Sequence, residues 1–139
     1  MNPFPVEKLE PLPGTLGIFS DITIEVPIKP FQLSIYAGEE PEEVATTLRL
    51  DFAPLPSIDF DVLAGQTFRF PGSPAPGYID GSIYIEHAHH PADVHCIRFG
   101  AETDCGLEVE VEMVLRFEFE GLGDFKDTPW RCVTTLRPR

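Results

Sequence analysis

The chain has 139 residues, with 23 Asp and Glu against 10 Lys and Arg, for a formal charge of −13 at neutral pH. This length fits one domain, because two halves would each bury too little apolar surface to stand without metals or disulfides. Apolar residues make up 42% of the chain, too many for a disordered protein. The shortage of basic residues argues against nucleic acid or an anionic membrane as a partner and favours a basic protein.

No stretch approaches the roughly 18 apolar residues of a membrane span. The N-terminal residues lack the cationic-then-apolar order of a signal peptide. Three cysteines, Cys96, Cys105 and Cys132, form no C-x-x-C pair. An odd number of unpaired thiols fits a reducing cytoplasm better than a disulfide framework.

Residues 1–13, with prolines at 3, 5, 11 and 13, read as a Pro-rich extended arm, and 14–139 as one β domain. Apolar residues then recur with a period of two between glycine and proline turns. Ile22, Ile24, Val26 and Ile28 share one phase, and Phe31, Leu33 and Ile35 follow in another. Gly38 to Glu43 reads as the one helical turn of the chain, opened by Pro41. Val44, Leu48, Leu50 and Phe52 form the next strand, and Ile58, Phe60 and Val62 another. Further strands are expected over 66–71, 78–89, 94–100, 107–120 and 131–137. Leu107 to Glu120 is the clearest: Leu, Val, Met and Phe on one face, Glu108, Glu110, Glu112, Glu118 and Glu120 on the other. It is long enough to need a bend, with Val114 as its place. The whole predicts an all-β fold, a single antiparallel sandwich of eight or nine strands with a barrel as its variant.

The wet glutamate face keeps such a protein soluble and deters strand-edge pairing. Its sharper reading is a docking surface, with Glu108, Glu110, Glu112, Glu118 and Glu120 facing a basic partner. No nucleophile elbow, phosphate loop or zinc-protease motif is present, so no complete catalytic set can be assembled. These features point to a small cytoplasmic binding protein of the inhibitor or immunity type.

The four histidines, His87, His89, His90 and His95, provide an alternative from another class. His87 and His89 share the parity of Ile83 and Ile85; His95 shares that of Ile97 and Phe99. A three-residue loop, Pro91 to Asp93, would set His89 opposite His95 and His87 opposite Ile97. Three imidazoles would then meet on the inward face, a set suited to one divalent zinc, iron or nickel ion. A two- or four-residue loop would break the triangle. The segment also resembles the first motif of the cupin family, in which Gly81, His87, His89 and Gly100 take matching places and Asp93 stands where that family has Glu. The resemblance spans residues 81–100 and implies a metal held by His87, His89 and Asp93. The histidine of the family's second motif has no counterpart, because no histidine follows His95.

Overall fold

A computed structural model describes all residues from Met1 to Arg139. Ten strands run in chain order: β1 (Asn2–Pro3), β2 (Gly14–Ile18), β3 (Ile22–Leu33), β4 (Glu42–Asp51), β5 (Thr67–Arg69), β6 (Asp80–Ile85), β7 (Ala88–Thr103), β8 (Gly106–Leu115), β9 (Phe125–Lys126) and β10 (Thr128–Pro138). Eight of them form one sheet in the order β5-β7-β6-β4-β3-β2-β10-β8. A further pairing of β7 with β8 closes that sheet into a barrel. This closure decides between the two expected all-β forms, and it leaves the short β5, paired with β7 alone, as the edge. β2 and β10 pair in parallel, an exception in an otherwise antiparallel barrel wall. No helix is long and apolar enough to cross a membrane.

Period-two patterning builds the wall, and bulges correct it. Val26 and Ile28 point inward on even numbers, whereas Leu33 points inward on an odd one. A register shift between Ile28 and Phe31 absorbs the change, so the two strands expected here are the single strand β3. β7 has two such shifts, between Val94 and Cys96 and between Phe99 and Glu102.

Three expectations are corrected. The run from Ile58 to Val62 is not a strand: Phe60–Leu63 form a short helix, α1. The Asp59 carboxylate accepts the Asp61 N–H at 3.0 Å and caps it. Phe60 and Leu63, three apart, are the pair that turns inward. No helix forms over 38–43, where a turn leads into β4; instead one 3-10 turn lies at Val6–Lys8. The long glutamate strand ends at Leu115.

The barrel has two distinct ends. At the upper end β2, β4, β7 and β10 finish, and the segment 53–66 crosses it, adding Leu55, Phe60 and Leu63 to the core. At the lower end those strands begin, and the 1–13 segment closes it. Phe4 is 2% exposed. Its ring stacks on Phe117 and meets Phe31 and Phe125 edge-on. Its N–H donates to the Thr128 hydroxyl. β1 pairs with β9 alongside.

Candidate functional site

The histidine segment turns earlier than its sequence suggests. β6 and β7 pair with Ile85 opposite Ala88, Tyr84 opposite His89 and Ile83 opposite His90. The hairpin therefore closes at Glu86-His87, with Pro91 to Asp93 lying within β7. Both turn residues have positive φ, +54° and +65°, the backbone that a tight two-residue hairpin demands. Glycine or asparagine normally signals such a turn, and neither is present. With this register the even positions His90, Ala92 and Val94 face the core, as Ile83 and Ile85 do on β6. The bulge at His95 then returns Ile97 and Phe99 to the interior.

The expected imidazole triangle consequently does not form. His87 sits in the turn, His89 is exposed against the Tyr84 ring at 4.8 Å, and His95 is exposed at the bulge. Asp93 is committed elsewhere: its carboxylate accepts from Arg116 at 2.9 Å and from the Ser73 N–H at 3.2 Å. No group of three or more His, Cys, Asp or Glu side chains is arranged to hold a metal ion. The residues carrying the cupin resemblance do not converge either.

His90 is the histidine taken inside. It is fully buried, and its Nε2 lies 3.1 Å from the Ile85 carbonyl. Its Nδ1 has no partner. Burial lowers its pKa, with the Ile85 carbonyl and the Glu120 charge working against that shift.

The glutamate ladder divides into two parts. Only Glu108, Glu110 and Glu112 lie on β8. Arg98 bridges Glu112 at 2.9 Å and Glu110 at 3.6 Å, and Arg131 reaches Glu110 at 3.2 Å. The Arg98 contact holds the Glu112 carboxyl below its usual value. Glu108 accepts the Ala101 N–H. The strand portion of the ladder is thus largely neutralised within the barrel wall. Glu118 and Glu120 lie beyond β8, at the lower end. Glu118 and Asp127 exchange hydrogen bonds: each backbone N–H donates to the other's carboxylate.

Carboxylates without an ion pair lie at both ends: Asp21, Asp59, Asp61, Glu102 and Asp104 at the upper end, and a group of glutamates at the lower. Glu39, Glu40, Glu42, Glu43, Glu86 and Glu120 make no ion pair with any Lys or Arg of the chain. Most of this group was missed in the sequence because residues 38–43 read as a helical turn and Glu86 as strand. β4 and β6 pair only from Leu48↔Ile83 to Asp51↔Asp80. Below that they part, leaving a hollow lined by Glu42, Glu43, Tyr84, Glu86 and His87 among others. The Glu42 carboxyl hydrogen-bonds Glu86, and this contact, with the repulsion of Glu86 and Glu39, raises its pKa. Tyr36 and Tyr84 are exposed nearby.

A second hollow of about 510 Å³ lies on the adjoining wall, lined by Tyr78, Asp80, His89, Asp93, Arg116, Phe119 and Asp127 among others. Arg116 spans it between Asp93 and Asp127, and Phe119 is 81% exposed at its rim. All three cysteines are free; Cys105 is exposed, Cys96 and Cys132 are buried, and burial pushes the Cys132 thiol up to about 12. No protein-family model, curated protein or solved structure matches this chain.

Proposed function

We propose that this is a small acidic binding protein, of the inhibitor or immunity type, whose lower barrel end engages a basic protein in the cytoplasm. The observation that carries the reading is the group Glu39, Glu40, Glu42, Glu43, Glu86 and Glu120, which gathers at the lower barrel end and pairs with no Lys or Arg of the chain. Every intramolecular arginine pairing of the ladder lies elsewhere, on the wall. A basic partner would relieve the Glu42–Glu86 repulsion, and Tyr36, Tyr84 and Phe119 supply aromatic contact area of the kind that anchors interfaces. Electrostatic attraction of this sort speeds association and weakens with salt.

The test uses the whole chain immobilised against an extract of its native cell, with retained proteins identified by mass spectrometry. A basic protein should be retained at about 50 mM salt and released by about 500 mM, as screening shortens the reach of the field. The double variant Glu42→Lys, Glu86→Lys should lose it, and Glu110→Gln should keep it. Equal retention by the wild type and the double variant, or a complex indifferent to salt, overturns the reading.

A further inference from the structure

His90 differs from the other histidines in what an added proton meets. Its ring is wholly buried, at the third position of β7 and beside the lower mouth. The Ile85 carbonyl 3.1 Å from Nε2 can only accept, so Nε2 carries the hydrogen of the neutral ring. Nδ1 is left as a bare lone pair with no partner. The next proton therefore goes to Nδ1, where it makes a charged N–H in surroundings that offer no acceptor. A buried charged donor left unsatisfied is among the costlier defects a core can hold.

Two aromatic rings link His90 to the closure of that mouth. Its ring meets Phe117 at 5.2 Å, and Phe117 stacks in turn on Phe4 at 4.6 Å. Phe4 belongs to the N-terminal segment, which is lightly held. Phe4 and Leu9 are the two buried residues of positions 1–13. β1 and β9 pair over two residues only. The ion pairs of the segment, from the Met1 amine to Asp124 and from Lys29 to Glu10, are exposed at both partners. By contrast, β7 pairs with β8 from Ala92 to Thr103. A charge at His90 thus strains a segment that opens at lower cost than the wall does.

One carboxylate is placed to receive that charge. Glu120 is exposed, three residues after Phe117 in the turn where the Gly121 N–H donates to the Phe117 carbonyl. Its field favours a protonated His90, whereas that of His89 opposes one. β6 brings Ile83 and the Ile85 carbonyl to this ring, and neither titrates. We propose that His90 is an acid-triggered latch: proton uptake at Nδ1 draws Glu120 toward the ring, displaces Phe117, unseats Phe4 and frees residues 1–9 from the lower mouth while the barrel wall stays folded. No basic partner is required for this opening.

Amide hydrogen exchange read by mass spectrometry on the whole chain is the test. It is run at about pH 7.5 and about pH 5, either side of the ordinary histidine value, with rates corrected for intrinsic chemistry. Residues 1–9 should exchange about tenfold faster at the lower pH, the effect of one pH unit of coupling, with β7 and β8 unchanged. His90→Gln keeps an amide donor for the Ile85 carbonyl but takes up no charge, so its segment should stay protected at both values. It retains Glu10 and Asp124, so loosening of those exposed pairs would show equally in both proteins. Glu120→Gln, a surface change that decides the matter even where His90→Gln does not fold, should move the opening to lower pH. A segment that stays protected at the lower pH overturns the proposal, as does one released only together with the wall. Equal opening in the wild type and His90→Gln, or an opening pH unmoved by Glu120→Gln, overturns it as well.

Discussion

The ring of Phe4 lies over that of Phe117, with centroids 4.6 Å apart and planes inclined by 20°. One residue comes from the proline-rich start of the chain, the other from just beyond the longest glutamate run. Their stack closes the lower mouth of the barrel, so the N-terminal segment is part of the core. Phe4→Ala is expected to destabilise the fold by about 3–5 kcal/mol, the usual cost of emptying a buried phenylalanine site. Chemical denaturation measures it. A loss below about 1 kcal/mol, typical of a surface site, would show that the segment closes nothing.

Glu42 and Glu86 make a stability cost that appears only when both are charged. The Glu42 pKa is raised in the folded chain, so the native state holds that proton more readily than the unfolded one. Stability from this group is therefore greatest at low pH and falls as the pH rises through its raised folded value. Glu102, raised by burial and by its hydrogen bond to Asp61, behaves with the same sign. Glu42→Gln and Glu102→Gln should each raise the melting temperature at pH 7 by more than at pH 4. An equal change at both pH values would mean that repulsion is not the cause.

His90 works in the opposite direction. Burial lowers its pKa from the ordinary 6.5, so the unfolded chain takes up a proton that the folded one resists. The stability associated with keeping it neutral is present above that value and drains away as the pH falls below it. His90→Leu should flatten the loss of stability over this acid range. It should change stability little at pH 8, where the lost Ile85 contact is offset by removal of the partnerless Nδ1. An unchanged acid slope would rule His90 out as its source.

The Glu86-His87 turn is costly for its residue types. Left-handed backbone disfavours L-residues by roughly 1–2 kcal/mol each. Glu86→Asn combined with His87→Gly is therefore expected to stabilise the chain by about 1 kcal/mol, while weakening any salt-sensitive complex formed at the lower end. Melting and binding measured on the same variant separate the two effects. A fall in melting temperature would show that the wild-type side chains hold the turn.

Much of the barrel was legible along the chain. Leu107, Val109, Val111, Met113 and Leu115 alternate with polar or half-exposed neighbours, as period-two patterning requires. Less legible was α1. Ile58, Phe60 and Val62 fit a strand until Asp59 is recognised as a cap and Gly65 as a stop; Gly65 has φ of +75°. The histidine site failed at two places together. The turn at Glu86-His87 carries no glycine or asparagine, and the extra residue at His95 reverses parity within β7. Each error alone would have left an apolar phase facing water; together they leave Ile83, Ile85, Ile97 and Phe99 all inside.

The all-β character, the single domain and the acidic surface follow from composition and alternation, which act between near neighbours. Barrel closure, the pairing of Arg98 and Arg131 with the ladder, and the gathering of Glu42, Glu86 and Glu120 at one end arise otherwise. They depend on which strands meet and in what register, and that is set by contacts between residues far apart in the chain. One inserted residue in a strand exchanges inside for outside, so local pattern states that a face is buried without stating which side chains share it.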